Sequence, residues 1–145
     1  MDICHGSETV LVVEGHDMVR QPLKRILQSH GYTVLEAQNG DEALKLSGQH
    51  HGMIHLMITD VVMPGISGLE LARRLHTSRR DMKVLYISGA MEHCITRDQA
   101  SEGDTPFLQK PFTPEELSSK VREVLSGPPI HPPFSPPSSW HKNCS

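Results

Sequence analysis

The 145-residue chain is 37% hydrophobic and 21% charged, with 14 Lys and Arg against 17 Asp and Glu for a formal net charge of −3. That length suits one domain whose core needs no disulfides, and the acidic balance excludes a general nucleic-acid binder, which requires a basic face. Apolar runs such as Val10–Val13 are too short to cross a bilayer, no signal-peptide pattern opens the chain, and Cys4, Cys94 and Cys144 lack metal-ligand spacing, so a cytoplasmic chain without membrane contact is expected.

Residues 1–8 carry no apolar period and read as a lead-in. Val10–Val13, Thr33–Ala37, Met53–Ile58, Val84–Ile87 and Phe107–Leu108 read as strands, several of them apolar on both faces. Such continuous apolarity marks parallel strands covered by helices on both sides. Between the first two, Val19, Leu23, Ile26, Leu27 and His30 share one helical face, and Asp17 is placed to cap that helix. Asn39-Gly40-Asp41-Glu42 opens a second helix. Ser67-Gly68-Leu69-Glu70 and Thr113-Pro114-Glu115-Glu116 have capping-box spacing, the latter with proline at the first helical position. Met91, Ile95 and Ala100 make a thin stripe for a further helix over 91–104, and Leu117, Val121, Val124 and Leu125 a fuller one for the last. Residues 127–145 hold six of the eleven prolines and are expected to form an extended, disordered tail, leaving a folded body over 9–126. Its Pro-Pro repeats suit an aromatic groove on a partner, but a plain terminus explains them better.

Strict alternation of strands and helices implies an open parallel α/β sheet with right-handed crossovers, in which ligands bind beyond the carboxyl ends of the strands. Those ends carry Glu14-Gly15, Thr59-Asp60, Ser88-Gly89 and Gln109-Lys110-Pro111. Each group has an ordinary explanation alone, the aspartate as a turn residue and the lysine as a solvated charge. Together, two carboxylates, a hydroxyl and an ammonium on one rim suit phosphoryl transfer to a carboxylate. Asp60 is the nucleophile, and a hard divalent cation, the hydroxyl and the lysine spread the charge.

Val10–Glu14, Thr59-Asp60-Val61-Val62-Met63-Pro64-Gly65-Ile66-Ser67-Gly68, Tyr86-Ile87-Ser88-Gly89 and Phe107-Leu108-Gln109-Lys110-Pro111-Phe112 resemble the receiver domain of two-component response regulators. The likeness runs in register over 9–126 and is closest in character to receivers at the carboxyl end of hybrid sensor histidine kinases. It implies a flavodoxin-like (βα)5 fold with five parallel strands in the order 2-1-3-4-5. It also implies phosphorelay signalling, with a histidine kinase or phosphotransfer protein as partner. By the same resemblance Asp60 is the phosphoacceptor, and Ser88, Lys110 and Phe107 are the switch and phosphate-contacting residues. Glu14, Asp60 and the Val62 backbone carbonyl would hold Mg2+, and Lys110-Pro111 would be a cis peptide. A dimer through the fourth and fifth helix face is a further implication.

One departure stands out. Receivers place two acids in succession after the first strand, whereas here Glu14 is followed by Gly15 and then His16. The direct metal ligand is missing, so Mg2+ binding should be weakened. Two readings follow: a phosphoacceptor receiver, stoichiometric rather than enzymatic, or a degenerate receiver serving as a protein-interaction module. An aspartyl phosphohydrolase is disfavoured because Val62 stands where such enzymes carry a second acid. No nucleotide-binding domain or phosphoacceptor-histidine helix accompanies the chain, so kinase activity is expected only of a longer parent. No helix-turn-helix or basic block follows residue 126, and Arg73-Arg74 and Arg79-Arg80 read as a solvated edge as readily as a docking surface. His50, His51 and His55 do not read as a metal cluster.

Overall fold

Val10, Leu11, Val12 and Val13 are all wholly buried, so this strand must be covered on both faces. A computed structural model describes residues 8–88 and 107–127. In chain order these form β1 (Thr9–Val13), α1 (Asp17–Ser29), β2 (Thr33–Ala37), α2 (Gly40–Gln49), β3 (Leu56–Asp60), α3 (Gly68–His76), β4 (Lys83–Ser88), β5 (Phe107–Gln109) and α4 (Pro114–Ser126). The strands make one parallel sheet, as their alternation with helices implied, in the order β2-β1-β3-β4-β5 that the resemblance implied. The expected helix over 91–104, the lead-in and the tail beyond 127 lie outside the described residues; α4 is the last helix of the expected series.

Period-two alternation divides the core. Val10, Val12, Leu56, Ile58, Leu85 and Ile87 point to one face, where Leu23 and Leu27 of α1 and Leu117 and Val121 of α4 cover them. Leu11, Val13, Met57, Val84 and Tyr86 point to the other, against Ala43 of α2 and Leu71, Ala72 and Leu75 of α3.

Three local expectations are corrected. The third strand begins at Leu56, not Met53, because its register is set by β1, with Val10 opposite Leu56 and Val13 opposite Thr59. Met53 is 57% exposed, and Thr59 and Asp60 complete the strand despite their polarity. The N-cap of α1 is His16, without a side-chain cap bond; Asp17 is the first helical residue and pairs instead with Arg20. At α3 only half of the capping box forms. Ser67 accepts from the Glu70 amide, but the Glu70 carboxylate turns to Arg73 and Arg74. Thr113 and Glu116 make the full reciprocal box on α4, and Asn39 caps α2.

Basic side chains close two helix ends. Lys83, at the start of β4, donates to the carbonyls of Leu125 (2.8 Å) and Gly127 (2.7 Å) at the end of α4. Arg79 donates to the carbonyls of Ser47, His50 and Gly52 and to the Ser47 hydroxyl, satisfying the orphan acceptors behind α2. Arg79→Ala would strand these acceptors and should lower unfolding free energy by about 1–3 kcal/mol in urea titration. A loss below about 0.5 kcal/mol, the level of an ordinary surface substitution, would show that water replaces the guanidinium without cost.

Candidate functional site

The carboxyl ends of β1, β3 and β5 bring three charged side chains together. Glu14 follows β1 directly, Asp60 ends β3, and Lys110 follows β5. The Lys110 ammonium lies 2.9 Å from Asp60 Oδ1 and 3.3 Å from Glu14 Oε1. Glu14 is completely buried and its carboxyl is hydrogen-bonded to that of Asp60. Its other oxygen, Oε2, accepts from the His16 backbone N–H at 2.9 Å and lies 2.9 Å from His16 Nδ1.

The backbone under Asp60 is set by a glycine. A β-carbon on Gly68 would stand 2.0 Å from the Asp60 carbonyl oxygen, so only glycine lets the first turn of α3 pack there. The Gly68 N–H donates to the Val61 carbonyl at 2.9 Å, and Gly65, at φ +79°, turns the intervening loop.

Two carboxylates this close do not both ionise easily. Burial, then the hydrogen bond and charge of Glu14, push the Asp60 carboxyl up to about 7, with Lys110 opposing. Burial also disfavours ionised Glu14, but the bonds from Asp60 and His16 and the Lys110 charge outweigh it, and its pKa is lowered. For Lys110, burial is likewise overcome by Asp60 and Glu14, which hold it charged. The Asp60 carboxyl therefore keeps its proton up to near-neutral pH, next to a fixed cation.

The remaining expected residues are placed as follows. The backbone of Ser88 closes β4 in register with Gln109. Phe107 opens β5 at its far end from Lys110, its ring 6.0 Å from that of Tyr86 and tilted 40° to it. Val62 stands in the loop after Asp60 and is 59% exposed. Lys110-Pro111 is a cis peptide. Glu14, Asp60 and the Val62 carbonyl are all hard oxygen donors, a set that fits a hydrated Mg2+. Gly15 adds no donor, and Asp17 is engaged by Arg20. Among the described residues no group of three or more His, Cys, Asp and Glu side chains is gathered for a metal, and His55 Nδ1 accepts from the Thr9 N–H at 3.0 Å. Sequence reading missed the His16 bond to Glu14. It also missed Arg20, although an arginine in the α1 stripe with Leu23 and Leu27 was a visible signal of a buried ion pair.

An Asp60 pKa above its unfolded value means that the folded state holds a proton the unfolded chain releases. This contribution is complete below about pH 4 and is lost as pH rises through about 7. In metal-free urea titrations between pH 5 and 8, wild type should lose about 1–3 kcal/mol relative to Asp60→Asn. Parallel stability curves for the two proteins would contradict the raised Asp60 pKa.

Comparison with known proteins agrees with this architecture. Residues 10–122 match the response regulator receiver domain family. The chain is 41% identical over 120 residues to the sensor kinase CckA of Brucella abortus, covering 83% of this chain and 13% of that protein. It is 32% identical over 120 residues to the response regulator UvrY of Escherichia coli, covering 81% and 54%. The chain thus spans about an eighth of one relative and half of the other. Among solved structures, the receiver domain of the hybrid histidine kinase CckA superposes with a TM-score of 0.67 at 34% identity, covering 81% of this chain and 99% of that one. A putative response regulator from Chloroflexus aurantiacus gives 0.71 at 28%, covering 84% and 100%. No helix among the described residues is long and apolar enough to cross a membrane. The parallel sheet in the order 2-1-3-4-5 and the family match over 10–122 lead to one conclusion: the chain belongs to the response regulator receiver domains of two-component signalling systems.

Proposed function

We propose that residues 9–126 are a phosphoacceptor receiver that takes a phosphoryl group onto Asp60 from the phosphohistidine of a histidine kinase or phosphotransfer protein. The observation that carries this reading is the Lys110 ammonium held 2.9 Å from Asp60 and 3.3 Å from Glu14 on the ligand-binding rim. Asp60 reacts as the carboxylate. Its oxygen forms the new P–O bond while the P–N bond to the donor imidazole breaks, and the freed ring nitrogen takes up a proton. Lys110 is within reach of the oxygens of the transferred group and offsets their charge. Glu14, Asp60 and the Val62 carbonyl would hold Mg2+, which supplies further neutralisation on the transferring phosphoryl group. Ser88 and Phe107 are the residues assigned to relay the change to the surface. The chain is consumed stoichiometrically and is not an enzyme.

Gly15 favours a second reading, a degenerate receiver that works as a protein-interaction module without efficient phosphorylation. Intact-mass measurement after treatment with acetyl phosphate and Mg2+ separates the two. A single phosphoryl adduct on wild type and none on Asp60→Asn is expected. Equal adducts on both would remove Asp60 from the role, and no adduct on either would favour the interaction module.

Restoring the missing acid is a second test. A β-carbon at position 15 would lie 3.3 Å from the Gln38 carbonyl oxygen, so the loop must yield by a few tenths of an ångström. Gly15→Asp should still tighten Mg2+ at least ~10-fold in calorimetric titration, and should cost the metal-free protein some stability through carboxylate crowding. Equal Mg2+ affinity in the two proteins would mean that another oxygen already fills the gap.

A further inference from the structure

Arg20 is a buried cation in an unfavourable place. It is 6% exposed in the first turn of α1, where the helix dipole is positive, and a buried guanidinium is destabilising unless its bonds are met. They are met around one residue. The Arg20 backbone N–H donates to the His16 carbonyl at 2.8 Å, and its Nη1 donates to the Glu14 carbonyl at 2.8 Å, so Arg20 straddles Gly15. Its Nε donates to Glu36 Oε1 at 3.0 Å and its Nη2 to Asp17; Glu36 in turn accepts from Lys24 at 2.6 Å. Hydrogen bonding from Lys24, against burial and with help from Arg20, keeps Glu36 ionised.

The segment needs such a clamp. Glycine at 15 restrains the backbone least of all residues, and Pro22 inside α1 removes the N–H that would bond to the Met18 carbonyl. With the Glu14 N–H donating to the Ala37 carbonyl at 3.0 Å, both backbone polar groups of Glu14 are held, and its side chain starts from a fixed backbone toward Asp60 and Lys110.

We propose that Arg20 is a positioning residue that spans Gly15, fixes the Glu14–His16 segment and thereby sustains the divalent-cation affinity left to a pocket with no acid at position 15. The proposal rests on the phosphoacceptor reading of that pocket. Lysine keeps the charge at position 20, but a single nitrogen cannot serve the Glu14 carbonyl and Glu36 with a fork. The test compares the full chain with Arg20→Lys, Arg20→Met and Arg79→Ala, the last a remote loss of stability. Two quantities are read: Mg2+ affinity by calorimetry, and exchange of the His16 amide by NMR in metal-free protein. Both Arg20 variants should weaken Mg2+ and speed His16 exchange by ~10-fold, with Arg79→Ala within ~2-fold of wild type on both.

Wild-type Mg2+ affinity in Arg20→Lys overturns the proposal, whatever the exchange shows. So does Arg79→Ala reproducing both changes, since general loosening would then explain them. A wild type that binds no Mg2+ overturns the Mg2+ site of the phosphoacceptor reading, and with it the affinity half of the proposal. His16 exchange then decides the positioning role alone: faster exchange in Arg20→Lys upholds it and unchanged exchange overturns it.

Discussion

Glu14 is a carboxylate with no exposure to water, and the rim of the sheet is organised around keeping it there. An unpaired buried charge is not tolerated, so each of its oxygens has donors: Lys110 on one, the His16 N–H on the other. The same lysine reaches Asp60 and so ties β1, β3 and β5 together at one point. The bonds that make the fold tolerate one interior acid also hold the second, Asp60, beside it.

That arrangement depends on the backbone arriving accurately, and the accuracy comes from apolar packing. Val12 and Ile58 are neighbours in the β1–β3 ladder and both belong to the layer under α1 and α4; Val13 opposite Thr59 brings the two strand ends level. Glu14 and Asp60 are then presented side by side by register, while Gly68 lets α3 close against the Asp60 carbonyl. A one-residue slip of β3 would turn its side chains to the opposite layer and remove Asp60 from the rim.

The fold was legible because its signals are local. Four consecutive buried apolar residues in β1, the Thr113–Glu116 box and the polar residues at four of the strand ends can be read within a short window. What was misread depends on side-chain partners, near and far along the chain, that the apolar pattern does not show. Asp17 looks like a cap until Arg20 is seen to claim it, and Arg20 itself finds Glu36 16 residues away on a neighbouring strand. Met53 and Ile54 are equally apolar in sequence, yet one is 57% exposed and the other 2%, a difference made by where β1 starts its pairing. The acids, the lysine and the glycine at 15 could be named in advance. That His16 would lean on Glu14 could not, since that contact belongs to the shape of the loop.

Lys83 has a consequence for how this domain can be attached to anything else. It stands at the amino end of β4, so its grip on the Gly127 carbonyl holds the exit of α4 at the sheet edge opposite Asp60. Thr9, where β1 begins, lies at that same edge. A strand of five residues separates the two edges by roughly 16 Å. Chain entering before β1 or leaving after α4 is therefore rooted on the far side of the sheet from the acidic rim. The domain is wired like a socket, with its leads at the back, and the front, where Glu14, Asp60 and Lys110 meet, is clear of either lead at its root.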